Sequence, residues 1–433
     1  MRFGKAHTAR DWFVACCLGL FLPALAVLKG PGYQPFSPAE VCATVLLLGL
    51  TALGVLSQRE SRQPIAYYLL TLSLIATHIV ISLGGDLDLA AFASVMLHDR
   101  YILVSLIAIL FLTEEGEELI TKVVIYLAVL TAYVVVGYVL QEPDRFTSLF
   151  GVGGFARETS IFPNSNMYGV YVVCVILLCL PRIDSLLFGK PALTYLFIVA
   201  PLFLVTLLSF SRRAWLVLAV GCILFAAFRR GKSLAHLALW MLLMGVIISL
   251  LDQGAIVDRF LLIFDSGYAS NTERLDAGAQ QMEVVMSHPV TFLLGAGVGE
   301  VGPASELSSR GQWLQIDNYF MQVVLEFGVV GLLVYCALFF YVVGSAVSVL
   351  RGASLSVESH NRLLSYLLVM LALYVVAIVG STPITFPLNL LQWLIVGIIV
   401  NFIERARRRG TRKRMVSGRL DVAVLANRSR LPR

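Results

Sequence analysis

Of the 433 residues, 58% are hydrophobic and only 14% charged, against roughly 25% charged in an ordinary soluble domain. A chain this apolar cannot clothe a soluble globule in polar groups, so much of its surface faces lipid and the soluble classes are excluded. The net charge of +6 is concentrated: over 404–433 eleven Lys and Arg stand against two acids, a net of +9, which leaves −3 for the rest.

A membrane-crossing helix needs about 20 mostly apolar residues. In chain order the candidates are 12–28, 39–56, 64–83, 98–112, 119–140, 167–180, 193–208, 214–228, 234–251, 319–349, 363–379 and 384–403. The first follows a short basic N-terminus without a small-residue cleavage site and reads as a retained helix rather than a leader. The fourth and eighth are short, and the tenth is long enough to tilt or project. The expected fold is therefore an all-α polytopic membrane protein of about twelve transmembrane helices. Its parts are nine spans over 1–251, a long loop over 252–316, three spans over 317–403 and a basic tail over 404–433.

Orientation follows from Lys and Arg in the short connections. With the N-terminus inside, Arg2, Lys5 and Arg10, then Arg59 and Arg62, then Arg182 and Lys190 fall inside. Arg229, Arg230 and Lys232, then Arg351 and Arg362, and finally the tail follow the same bias, so both ends are cytoplasmic. The run Glu114, Glu115, Glu117, Glu118 is the exception and reads as a solvated acidic turn. Outside lie two notable connections, 141–166 and the 252–316 loop. Within the latter, Ser270-Asn-Thr-Glu273 is a capping box, and Leu275, Ala279, Met282 and Met286 recur at helical spacing. An amphipathic helix is expected over 272–287, ended by His288-Pro289, with a flexible glycine connector from Gly295 to Gly302.

Several groups could carry chemistry. Arg212 and Arg213 stand in a short outward connection, where guanidinium groups can grip phosphate oxygens in bidentate fashion; snorkelling to headgroups is the structural alternative. Arg157, Asn164 and Asn166 bracket a Pro-Asn turn before the sixth span, equally suited to a helix cap. Asp317-Asn318 sits where the long loop re-enters the membrane, as a base or orienting acceptor or simply as a helix cap. Other signals are weak. Gly297-x-Gly-x-x-Gly302 lacks the strand and helix of a nucleotide fingerprint. His98 and His288 have no partner at ligand spacing, so no metal is expected. All seven cysteines lie in apolar segments, with no disulfide framework.

Three features occur in order: Arg157…Phe162-Pro-Asn164-Ser-Asn166, then Ser211-Arg212-Arg213, then a loop running from Arg274 through Gly299 into Asp317-Asn318-x9-Gly328-x-x-Gly331. In this the chain resembles the O-antigen polymerase and O-antigen ligase superfamily of bacterial inner-membrane glycosyltransferases. The resemblance implies an enzyme without cofactor, acting on undecaprenyl-pyrophosphate-linked glycan at the periplasmic face. Arg212, Arg213, Arg157 and Arg274 would then bind the pyrophosphate, with Asp317 and Asn318 at the acceptor hydroxyl. Ligases of the family carry His-Asn where this chain has Asp317-Asn318, which favours a polymerase of O-antigen or exopolysaccharide. A ligase acting on lipid A core or protein is the alternative, and a transporter or flippase is the rival of another class. The implied partners are the lipid-linked oligosaccharide, membrane lipids and a chain-length regulator, with no nucleic acid.

Overall fold

The computed structural model describes residues 13–14, 17–18, 38–57, 65–83, 101–141, 165–183, 186, 190–209, 211–230, 280, 283, 287–297, 319–352, 355–379 and 388–428. Every regular element among them is helical. In chain order these are α1 (Pro38–Ser57), α2 (Ile65–Leu83), α3 (Tyr101–Phe111) and α4 (Glu114–Gln141). Next come α5 (Ser165–Cys179, closed by a 3₁₀ turn at Leu180–Arg182), α6 (Pro191–Leu208) and α7 (Arg212–Phe228). After the short helix α8 (Pro289–Leu294) follow α9 (Tyr319–Arg351), α10 (Val357–Val379) and α11 (Leu388–Arg428). Five described helices are long and apolar enough to cross a membrane: α4, α6, α9, α10 and the first part of α11. The first and ninth predicted spans fall wholly or mostly on residues outside the described set.

Burial explains the arrangement. α5 is apolar all round, as a helix enclosed by other helices must be; it packs against α4, α6, α7 and α10, and Val172 to Cys179 are all buried. α10 links this group to a second one, formed by α2, α9 and α11. Outward-facing Leu130, Val134, Leu196, Ile223, Leu333 and Phe340 stay exposed, as a lipid-facing surface requires. Close approach between α3 and α11 depends on Gly397, where a Cβ would stand 2.6 Å from the Ser105 carbonyl. One turn further on, Asn401 Nδ2 donates to the carbonyls of Ala108 (3.3 Å) and Leu112 (2.6 Å), tying off the end of α3.

The acidic run is not a solvated turn. Thr113 Oγ1 accepts from the Gly116 amide, and Glu114, Glu115 and Glu117 form the first turn of α4, where carboxylates suit the helix dipole. Their charges are matched by arginines from other helix ends. Glu118 receives Arg182 of the α5 turn at 3.0 Å and Arg362 of α10 at 3.4 Å. Glu117, 2% exposed, pairs with Arg405 of α11, and Glu114 pairs with Arg409. Arg182, itself 1% exposed, also donates to the Leu178 carbonyl and to the Tyr366 hydroxyl. The exception to the charge bias therefore has a physical reason: the carboxylates neutralise helix-end arginines at one end of the bundle.

The basic tail contributes to this arrangement as well. α11 continues as one helix from the membrane segment to Arg428, bringing Arg405 and Arg409 to the acidic turn. Breaking one side of a buried ion pair strands the other charge, at a cost of about 3–5 kcal/mol. Glu117→Gln should lower the melting temperature of the detergent-purified protein clearly. Glu117→Gln combined with Arg405→Met should recover part of that loss, and a double-mutant cycle on melting curves measures the coupling.

Candidate functional site

Helix direction sorts the bundle into two ends. The ion-pair end collects the starts of α4 and α10, the ends of α5, α7 and α9, and Arg405 of α11. There Arg230 and Asn361 exchange hydrogen bonds between backbone and side chain (2.9 Å each), and Arg230 reaches the Leu350 carbonyl at 3.2 Å. By the same directions the opposite end gathers the starts of α5, α7, α9 and α11 and the ends of α2 and α6. Arg212, Arg213 and Asn166 all belong to that opposite end, as does the start of α9 at Tyr319.

Two of the sequence features prove to be neighbours. At the start of α5, Gly169 lies against the α6–α7 turn so closely that a Cβ would stand 2.5 Å from Ser209 Oγ, 3.0 Å from Ala214 and 3.1 Å from Ser211. The turn is pinned by its serines. Ser209 Oγ donates to the Thr206 carbonyl (2.8 Å) and accepts from the Ser211 amide (3.3 Å). Ser211 caps α7, its hydroxyl accepting from the Ala214 amide at 3.4 Å. Trp215 Nε1 donates to the same Thr206 carbonyl at 3.0 Å. A capped helix therefore starts with two arginines in its first turn, Arg212 and the partly buried Arg213. Cations are disfavoured at the positive end of a helix dipole. Arginine beside the N–H groups of a helix's first turn is nevertheless a residue type that can bind an anion.

The second half of this end is built around a broken helix. α9 is interrupted at Gly328, whose φ of 65° lies in the left-handed region. A break inside a membrane helix frees carbonyls that hydrocarbon cannot satisfy. Here the Ala296 amide donates to the Leu325 carbonyl (2.8 Å) and the Gly297 amide to the Glu326 carbonyl (3.0 Å). Gly295–Gly297 is thus a clasp rather than a flexible connector, with φ of 83° at Gly295 and 102° at Gly297. The remainder of the predicted connector, 298–302, lies outside the described set. His288-Pro289 also starts a helix as well as ending one: Pro289 is the first residue of α8, whose Phe292 packs, like Met321 and Val324, against Leu325.

A Cβ at Gly328 would run into the Leu293 carbonyl, whereas one at Gly344, later in the same helix, meets nothing within 4 Å. Gly328→Ala should therefore destabilise the protein through strain at positive φ and loss of the clasp. Gly344→Ala should be neutral or stabilising by up to about 1 kcal/mol, because alanine is the better helix former. Opposite shifts of the two melting temperatures check this.

Sequence reasoning passed over Glu326, His78, Gln322 and Asn389. Glu326 is 1% exposed in the middle of an apolar run and accepts from Gln322 Nε2 at 3.2 Å. His78, near the end of α2, stacks on Phe327 with ring centroids 3.6 Å apart and 14° between planes. The usable signal was a lone carboxylate within a predicted span, since ionisable groups at membrane depth mark function more often than packing. Asp317, Asn318, Arg157, Asn164, Arg274 and the start of the predicted loop helix lie outside the described residues. Of that helix Gln280, Glu283 and Ser287 are described, and all three are helical and exposed. Among the described residues no three His, Cys, Asp or Glu side chains gather as a metal-ligand set.

One comparison with known proteins falls on this same region. Residues 197–336 match the sequence model of the O-antigen ligase family, a segment running from α6 through the arginine turn and the predicted long loop into the broken helix. An O-antigen polymerase of Salmonella muenchen is 26% identical over 267 residues, which are 60% of this chain and 64% of that protein. The aligned part is thus less than two thirds of the relative's length. Apolar helices and these two matches together describe a multi-pass membrane protein, and they support for it the O-antigen polymerase and ligase superfamily, a class of enzymes.

Proposed function

We propose that the chain is a polymerase of a bacterial surface polysaccharide, working at the periplasmic face of the inner membrane. It takes a glycan from undecaprenyl pyrophosphate and joins it to an incoming lipid-linked repeat unit. The observation that carries this reading is the arginine pair in the first turn of a capped helix, set against the start of α5 at the end where α9 starts. Such a position suits a lipid-borne diphosphate. As the glycosidic bond to phosphate breaks, negative charge grows on the leaving oxygens, and fixed guanidinium groups stabilise it most in the transition state. Arg157 and Arg274 would add to this grip from the outer connections. Asp317 would accept a hydrogen bond from the acceptor hydroxyl, orienting it or taking its proton, and Asn318 would hold the sugar beside it. Asn164 and Asn166 would contact the glycan or shape the turn.

The polymerase reading is supported by the name of the Salmonella relative and by Asp317 in place of the ligase histidine. A ligase acting on lipid A core or protein is the second reading, favoured by the description of the matching family. A deletion strain separates the two. Loss of a polymerase collapses the polysaccharide ladder to one repeat on its final acceptor. Loss of a ligase leaves long polymer on the lipid carrier and none on the acceptor. A chain-length regulator would be a partner of the polymerase only.

A further inference from the structure

Beside the broken helix, at the same end as the arginines, lies a crevice whose chemistry differs from theirs. Its lining is His78 from α2, Ile102 from α3, Tyr319, Val323 and Tyr335 from α9, and Asn389 and Trp393 from α11, closed by Leu74. No Lys or Arg is among these residues. The hydroxyl of Tyr335 accepts from Gln392 Nε2 at 2.9 Å, and its ring meets those of Tyr319 (5.4 Å) and Tyr374 (5.6 Å). Gln322, one turn from Tyr319 and 3% exposed, has an Oε1 with no hydrogen-bond partner among the described residues. The free space is about 10 Å³, enough for one hydroxyl group or water and far too small for a sugar ring.

An amide and an imidazole beside a hydroxyl-sized space suit a neutral hydroxyl group. An imidazole and a carboxamide can each donate to and accept from a hydroxyl. We propose that this crevice is an acceptor-glycan subsite, taking a hydroxyl of the incoming sugar between His78 and Asn389. The site rests on the polymerase reading for the identity of its ligand, and it assigns the two chemistries to separate places: diphosphate at the arginine turn, sugar hydroxyl at the helix break.

The test uses the full chain in detergent micelles, titrated with the repeat-unit oligosaccharide released from its lipid and, separately, with inorganic pyrophosphate. His78→Phe keeps a ring stacked on Phe327 and removes both polar nitrogens; Asn389→Leu keeps volume and removes the amide. Each should weaken oligosaccharide binding about tenfold, the usual effect of one lost hydrogen bond, while pyrophosphate binding stays within twofold. In transfer assays the same variants should raise the KM for the acceptor more than they lower kcat. Oligosaccharide binding within twofold of wild type in both folded variants would overturn the subsite. So would a loss confined to pyrophosphate, which would make the crevice part of the anion site. Weakened sugar binding in the variants of a protein whose wild type forms no new glycosidic bond would keep the subsite and refute the polymerase.

Discussion

Alanine at Arg212 or at Arg213 is expected to abolish polymer while leaving the protein inserted in the membrane at its normal level. Neither substitution touches the features that form the turn. The serine cap, the Ser209 and Trp215 hydrogen bonds to Thr206 and the Gly169 contact all remain. Removing a cation from the first turn of α7 even relieves an unfavourable interaction with the helix dipole. On the proposed function, what is lost is the charge that would face a leaving diphosphate. Removal of one preorganised donor to a developing oxyanion costs about 10²–10³ in rate, and a cation acting on a diphosphate should cost at least as much. Arg→Lys should recover only part, because an ammonium cannot make the bidentate contact. The measurement is the polysaccharide ladder in a complemented deletion strain, read beside immunodetection of the protein in membranes. Normal chain length in both alanine variants would remove the arginines from the site.

Asp317→Ala carries the second large effect. A group that orients or deprotonates the attacking hydroxyl is worth about 10²–10⁴ in rate, so transfer should fall by at least two orders of magnitude. Binding of the donor lipid should be unchanged, because the carboxylate contributes nothing to holding a diphosphate. Asp317→Asn separates the two roles: an amide can still accept a hydrogen bond from the hydroxyl but cannot take its proton. Single-turnover transfer from purified lipid-linked repeat units measures both variants. A rate within tenfold of wild type in Asp317→Ala would leave the residue as a helix cap only.

Much of the architecture was legible because hydrophobic length is a direct physical demand of the bilayer. Every described span coincides with an apolar run read from the sequence, and the charge bias sorted their ends into the two groups that the structure brings together. The arginine turn was legible for the same reason, since Arg212 and Arg213 interrupt an apolar stretch. Three things were not legible. The partners of the acidic run come from Arg182, Arg362, Arg405 and Arg409, 64 to 295 residues away, and no local pattern announces such pairs. The break in α9 was hidden because one glycine within an apolar run is commonplace. Only the second glycine segment, carrying Gly295, shows that Gly328 adopts a left-handed conformation to meet it. The polar crevice was hidden because its residues come from α2, α3, α9 and α11, with no more than two polar or aromatic side chains from any one otherwise ordinary span.

Alkaline phosphatase fusions made after Ser211 and after Arg230 test the central claim most directly, because that enzyme folds actively only outside the cytoplasm. The account predicts high activity after Ser211 and none after Arg230, which lies at the ion-pair end with Asn361 and Leu350. The reverse pattern would put the paired guanidinium groups on the side where no periplasmic lipid-linked glycan can reach them.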